Sequence, residues 1–191
     1  MTLVLASASP RRRAILTDLG IEFEVCPSDV DETILGNETP EAAAIRLARS
    51  KALAAPEGRW VLSADTIVAI NGQILGKPVD ADEARSTLQL LRRLTHQVIT
   101  ALSVRTPAGR IFSTFDVAHV TMRSYSDDEI ETYIETGDPF DKAGSYAIQH
   151  PTFAPVAALD GDRETVIGLP SPLVRQLLTA SGFLVGASAR S

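Results

Sequence analysis

Two hydroxyls, a proline and three adjacent arginines follow a short apolar run: Leu3-Val4-Leu5-Ala6 leads into Ser7-Ala8-Ser9-Pro10-Arg11-Arg12-Arg13. The apolar run favours a strand, the proline suits a first helical position, and Ala14, Ile15, Leu16 and Leu19 continue a helical pattern. A strand-to-helix junction aims backbone N–H groups and the positive helix end at one point. Hydroxyls from Ser7 and Ser9 and guanidinium groups beside that point suit phosphate oxygens. Arg11, Arg12 and Arg13 project about 100° apart around a helix, so at most two of them serve one site. The plainer alternative is that Ser9 caps a helix whose arginines lie in solvent.

Other residues are too polar for their surroundings. Asp65 interrupts Trp60-Val61-Leu62-Ser63-Ala64 and Ile67-Val68-Ala69-Ile70, and burying its charge without partners costs several kcal/mol, roughly, so it demands a cation, a metal ion or donors from a neighbouring loop. Lys51, projected on a helix, falls between Leu47 and Ala48 on the apolar side, where it either snorkels outward or meets a buried anion. Gly76-Lys77-Pro78 sets a lysine after a glycine that permits close approach and before a proline that stiffens the exit; an exposed turn lysine is the alternative. The segment from Asp138 to Gln149 is dense in turn formers and ends on an amide able to donate and accept, as a loop lining a site would be. His96 and His119, at the start and within a strand, read as structural.

The elements that must position these residues alternate between strand and helix. Ile21 to Val25 reads as a strand, followed by a polar loop with Asp29, Asp31 and Glu32; Thr39-Pro40-Glu41 opens a helix to about Ala55. Trp60 to Ile70 is a long strand turned by Asn71-Gly72 into Gln73-Ile74-Leu75. Asp80 to Leu91 is helical, His96 to Arg105 and Ile111 to Met122 are paired strands, Ser126 with Glu129 boxes the start of a helix, and Pro170 to Ala180 forms the last helix. The alternation is not regular enough for a purely parallel sheet, so the expected fold is mixed α/β in layers.

Bulk properties restrict the partners. The 191 residues are 45% hydrophobic, enough for a substantial core. A net charge of −6 argues against binding a nucleic acid polymer or an anionic membrane, so any anion is held locally. Cys26 is alone, the histidines lack metal-finger spacing, and no apolar stretch approaches a membrane span; a cytoplasmic protein is expected.

Several short motifs in series resemble the Maf-type nucleoside triphosphate pyrophosphatases, once described as septum-formation inhibitors. They are Leu5 to Arg12, Val30-Asp31-Glu32, Arg46-Leu47-Ala48 with Lys51-Ala52, Ala64-Asp65-Thr66, Gly76-Lys77-Pro78, Thr95-His96-Gln97-Val98, Asp141-Lys142-Ala143-Gly144 through Gln149, and Gly168-Leu169-Pro170. The resemblance implies an elongated, two-lobed α/β architecture of the Maf and inosine-triphosphatase type, with a mixed central sheet, flanking helices and a cleft. One such domain is expected over residues 1–182, with a loose tail of mostly small residues over 183–191, and the resemblance implies a homodimer. The implied reaction is Mg²⁺- or Mn²⁺-dependent hydrolysis of a nucleoside triphosphate to the monophosphate and pyrophosphate.

Motif by motif, the resemblance makes Asp65 the proton acceptor. It places Ser7, Arg12, Glu32, Lys51 and Lys77 in the phosphate and metal environment, with Glu32 and Asp65 as oxygen ligands, and ties Arg11, Thr66 and Gln149 to base selection. Ala-Asp-Thr with the later Asp-Lys-Ala-Gly and Ile-Gln is similar to the branch acting on dTTP and UTP, and modified pyrimidine triphosphates are further expected substrates. Departures from the family pattern are Arg92-Arg93 in place of Ser-Gly, His150 in place of glycine, and Gly161 to Thr165, which lacks the small and aromatic residues common in that branch. A non-catalytic, nucleotide-binding regulator of cell division is the alternative function. Asp65 separates the two, because a pure binder gains little from a carboxylate beside a polyphosphate.

Overall fold

The computed structural model describes residues 2–36 and 38–184. Strand β1 (Leu3–Leu5) leads into helix α1 (Pro10–Asp18), then β2 (Phe23–Val25), α2 (Pro40–Ala54), β3 (Trp60–Ile70), β4 (Gln73–Leu75) and α3 (Ala81–Leu91). Strands β5 (Thr95–Arg105) and β6 (Ile111–Met122) precede α4 (Asp127–Glu135). Two short 3₁₀ turns, β7 (Val156–Asp160), α5 (Arg163–Ile167) and α6 (Ser171–Ser181) complete the chain. The capping residues do the work expected of them: Ser9, Thr39, Asp80 and Ser126 each accept a backbone N–H of the first turn, and Glu129 returns the bond to Ser126.

All seven strands form one mixed sheet in the order β2-β1-β3-β5-β6-β7, with β4 also on β3. Strands β2, β1 and β3 run parallel, and β3, β5, β6 and β7 antiparallel. Because β5 occupies one edge of β3 from Val61 to Ala69, β1 and β4 must share the other edge. Strand β1 takes Trp60–Leu62 and β4 takes Val68–Ile70, so the stretch between them has no strand partner on that side. Asp65 and Thr66 lie in this split.

Side chains alternate across β3 and β5. On one face, Leu62, Ala64, Leu102 and Val104 pack with Ile15, Leu16, Val174 and Leu178 of α1 and α6. On the same face at the other end of the strands, Val68, Ile70 and Val98 pack with Leu88, Leu91, Ile130 and Tyr133 of α3 and α4. Helix α2 covers the opposite face through Ala43, Ala44, Leu47 and Ala48 against Ile67, Ala69, Ile99 and Ala101. The two cores that share a face are separated at the level of Thr66 and Thr100, which are direct partners across β3 and β5.

Some details differ from the sequence reading. The second strand begins at Phe23, while Ile21 is buried in the core beside α1. Strand β7 and helix α5 were not anticipated. Phe183, at the head of the expected tail, is buried edge-on against Trp60, and residues 185–191 of that tail lie outside the described residues. Gly76, read as a point of close approach, has open space where a Cβ would stand; the tight glycines are Gly144 against Val68, Gly161 against Ala118 and Gly168 against Thr66 and Arg12. Arg93, standing where the resemblance leads one to expect glycine, takes the left-handed conformation (φ 65°) and bonds the Ser124 hydroxyl.

Candidate active site

The split in the sheet opens into a cleft of about 590 Å³. Its walls carry the residues that the resemblance assigns to phosphate, metal and base, together with Ser9: Ser7, Ser9, Arg11, Arg12, Glu32, Lys51, Asp65, Thr66, Lys77 and Gln149. Arg13 is exposed and absent from the lining, so two of the three arginines face one site. Five cations line the cleft (Arg11, Arg12, Lys51, Lys77, Lys142) against three acids (Glu32, Asp65, Asp141), a local positive excess in a chain of net charge −6.

The charged groups form a chain. Lys51 reaches up from α2, its Nζ 2.6 Å from Asp65 Oδ1 and 2.6 Å from Glu32 Oε1, and Lys77 Nζ lies 3.1 Å from Glu32 Oε2. Lys51 therefore meets a buried anion rather than snorkelling. Burial pushes the Asp65 carboxyl above the usual aspartate range, against the opposing pull of Lys51 and Arg12. Burial acts upward on Glu32 too, but there Lys51 and Lys77 outweigh it and hold the carboxyl below its ordinary value. The two carboxylates converge on one cationic point; among the described residues no three His, Cys, Asp or Glu side chains form a ready-made metal cage.

Arg12 departs from the expected phosphate fork. Its Nε donates to Gly168 O (2.9 Å), Nη1 to Ala64 O (2.7 Å) and Ser7 Oγ (3.3 Å), and Nη2 to Thr66 Oγ1 (3.1 Å). Four of its five donors are thus spent inside the protein, one of them on a carbonyl that the split sheet leaves without a strand partner. The remaining N–H is on Nη2. Ser9 is both a wall of the cleft and the N-cap of α1, accepting from Arg12 N, so the capping alternative holds alongside the cleft position.

The opposite end of the cleft is more apolar. Val68, Val98, Tyr146, Ile148, Val166 and Ile167 line it beside Gln149, whose side chain has no protein hydrogen-bond partner among the described residues. Arg11 and Asp141 approach to 4.0 Å. Lys142 is held by Asp138 O (2.6 Å), Asp138 Oδ1 (2.8 Å) and Asp141 Oδ1 (2.5 Å), which ties down the loop preceding Gln149. His96 is buried with Nε2 2.8 Å from Tyr146 Oη, and burial holds its pKa down to about 4, so it is a neutral structural residue at pH 7. His150 does not line the cleft; its ring packs edge-on against Tyr133 and its Nδ1 accepts from Phe153 N.

Sequence reasoning gave no role to Thr100, Tyr146 or Thr165, and quoted Gly168 only as part of a motif. Thr100 carried a signal of the kind that exposed Asp65, a polar residue amid Val98, Ile99, Ala101 and Leu102.

A mixed α/β sheet split beside a cationic cleft, with a buried carboxylate on its floor, is equipment for handling a polyanion. The family model described as Maf-like protein matches residues 2–181, and the chain belongs to that family. It is 48% identical over 189 residues to a dTTP/UTP pyrophosphatase of Thermomicrobium roseum, covering 97% of this chain and 86% of that protein. It is 45% identical over 184 residues to a dTTP/UTP pyrophosphatase of Anaeromyxobacter dehalogenans, covering 95% and 94%. Among solved structures, a HAM1 protein from Coxiella burnetii shares the fold with a TM-score of 0.54 at 18% identity, over 96% of this chain and 100% of that one.

Proposed function

We propose that the protein hydrolyses dTTP and UTP, and modified pyrimidine triphosphates, to the nucleoside monophosphate and pyrophosphate. The observation that carries this reading is the state of Asp65. One oxygen is held 2.6 Å from the Lys51 ammonium, while Oδ2, on the cleft wall, has no protein hydrogen-bond partner among the described residues. A carboxylate made more basic by burial, and oriented by a lysine, is suited to take a proton from water. The water oxygen bonds to the α-phosphorus, the bond from that phosphorus to the α,β-bridging oxygen breaks, and pyrophosphate departs. Charge builds on the phosphoryl oxygens and the leaving group, where Arg12, Lys77 and Lys51 supply preorganised positive potential. The names of the relatives support the same substrates.

Glu32 and Asp65 are the residues that would hold a hard divalent cation such as Mg²⁺ or Mn²⁺, being neighbouring carboxylates on the cleft wall bridged by Lys51. Such an ion supplies Lewis-acid neutralisation of the developing charge. Gln149, whose amide has no partner among the described residues and lies beside the apolar pocket, and Arg11 read the base. Thr66 has a different position: its hydroxyl is tied inward to Arg12 and Thr100. The same reading carries a cytoplasmic homodimer; no helix among the described residues is long and apolar enough to cross a membrane.

The test is pyrophosphate release by the purified protein from a panel of pyrimidine and purine triphosphates with Mg²⁺ or Mn²⁺. Turnover of dTTP and UTP above the purines, lost on chelation with EDTA and restored by added metal, is expected. Binding without turnover of any nucleotide would leave a regulator instead.

A further inference from the structure

Thr66 and Thr100 face each other across β3 and β5 in the gap between the two cores, their hydroxyl oxygens 2.9 Å apart. The direction of every bond around them is fixed by chemistry. The carbonyl of Thr165 can only accept, so the fully buried Thr100 hydroxyl spends its proton there (2.7 Å). In the hydroxyl pair Thr66 is therefore the donor. Arg12 Nη2 can only donate, so Thr66 Oγ1 accepts from it (3.1 Å). The relay runs one way, from Arg12 through Thr66 and Thr100 to the backbone of α5, and leaves Thr66 no proton for a nucleobase.

The relay ends on the guanidinium nitrogen that matters. Among the described residues, Nη2 carries the only N–H of Arg12 not spent within the protein, and the guanidinium is planar, so the bond to Thr66 helps fix where the remaining N–H points. Helix α5 anchors both ends of the arrangement. Gly168 at its close receives Arg12 Nε, and the Thr165 hydroxyl donates to Asp116 Oδ2 on β6 (2.5 Å). Gly168 makes room for this arrangement, since a Cβ there would stand 2.9 Å from Thr66 Oγ1 and 3.3 Å from Arg12 Nε.

We propose that Thr100, acting through Thr66, is a positioning residue that aims the one free N–H of Arg12 at the triphosphate. This rests on the reading of Arg12 as a phosphate-binding group. Thr100→Val keeps the shape and removes the relay's acceptor and donor; Thr100→Ser keeps both. Steady-state hydrolysis of the best nucleotide is measured for each, in the parent and in an Arg12→Lys background, with Thr66→Val as a second entry into the same cycle should Thr100→Val not fold. Misaiming a charged donor costs on the order of tenfold in kcat/KM. The expected result is that loss for Thr100→Val, recovery to within about twofold for Thr100→Ser, and no further loss from either valine variant once Arg12 is lysine.

Parental kcat/KM in both Thr100→Val and Thr66→Val, or an equal loss with and without the arginine, would overturn the relay. Parental activity in Arg12→Lys itself would instead overturn the phosphate role of Arg12, and the relay with it.

Discussion

Asp65 sits within an apolar strand because it has somewhere to put each oxygen: one on Lys51, the other on the cleft. Its raised pKa has a definite sign in the metal-free protein. There the Asp65 carboxyl, followed by carboxyl-carbon NMR, should titrate above the ordinary aspartate range, and Lys51→Met, removing a charge that favours ionisation, should move that titration higher still. Titration at the usual aspartate value, or one unmoved by Lys51→Met, would show that Asp65 is not buried against Lys51 as described. For stability the sign is reversed from the common carboxylate case. The folded state holds the Asp65 proton more tightly than the unfolded chain, so stability falls as pH rises through the window between the two pKa values. Asp65→Asn should accordingly abolish turnover without lowering the thermal midpoint. Asp65 and Lys51 were legible in the sequence because a charge in an apolar pattern is conspicuous. Thr100 stands in the same kind of apolar pattern but was passed over, because threonine is an ordinary strand residue and an uncharged hydroxyl is far less conspicuous than a charge. The commitments of Arg12 were invisible for another reason: its main acceptors are backbone carbonyls of Ala64 and Gly168, and carbonyls carry no sequence signal.

Elements with a cap and a turn's worth of periodicity could be read from their residues, as α2, α3 and α4 show. Strand β7 is too short for alternation to register, and α5, at 5 residues, is too short for a helical period. Its ends were nevertheless marked, by Asp162 accepting from Glu164 N and by Gly168 in the left-handed region (φ 111°). The loop carrying Gln149 is set by another junction of elements, where Gly144 N bonds Gly76 O and the Gly144 backbone presses on Val68 of β3. These two glycines should behave differently. Gly144→Ala would place a Cβ 2.8 Å from Val68 Cγ1 at φ 70°, and the combined strain and overpacking should cost about 2–4 kcal/mol by denaturant unfolding. Gly76→Ala meets open space and should be neutral or stabilising by up to about 1 kcal/mol. Equal effects would mean that the loop is not seated on β3 as described.

At the scale of the whole molecule, the cleft is a consequence of a sheet that is continuous on one side of β3 and interrupted on the other. The long strands β3 and β5 run through both the α1–α6 core and the α3–α4 core, while the break between β1 and β4 leaves a gap to which two distant segments contribute, Ser7 to Arg12 and Asp141 to Gln149. A mixed α/β fold was readable from the alternation of elements; that β1 and β4 share one edge was not, because pairing partners are chosen by tertiary packing rather than by local pattern. A nucleotide seated in the gap touches both contributions, so its binding energy is added to the stability of the whole frame. With a non-hydrolysable dTTP analogue and Mg²⁺ at about 100 times the dissociation constant, the folded state should gain about 2.7 kcal/mol. That gain corresponds to a rise in thermal midpoint of about 5–10 °C for a chain of this size. Amide hydrogen exchange under the same conditions should slow in residues 7–12 and in residues 141–149 together. Protection confined to one of these segments would show that the ligand rests on a single wall, and that the split in the sheet is not what receives it.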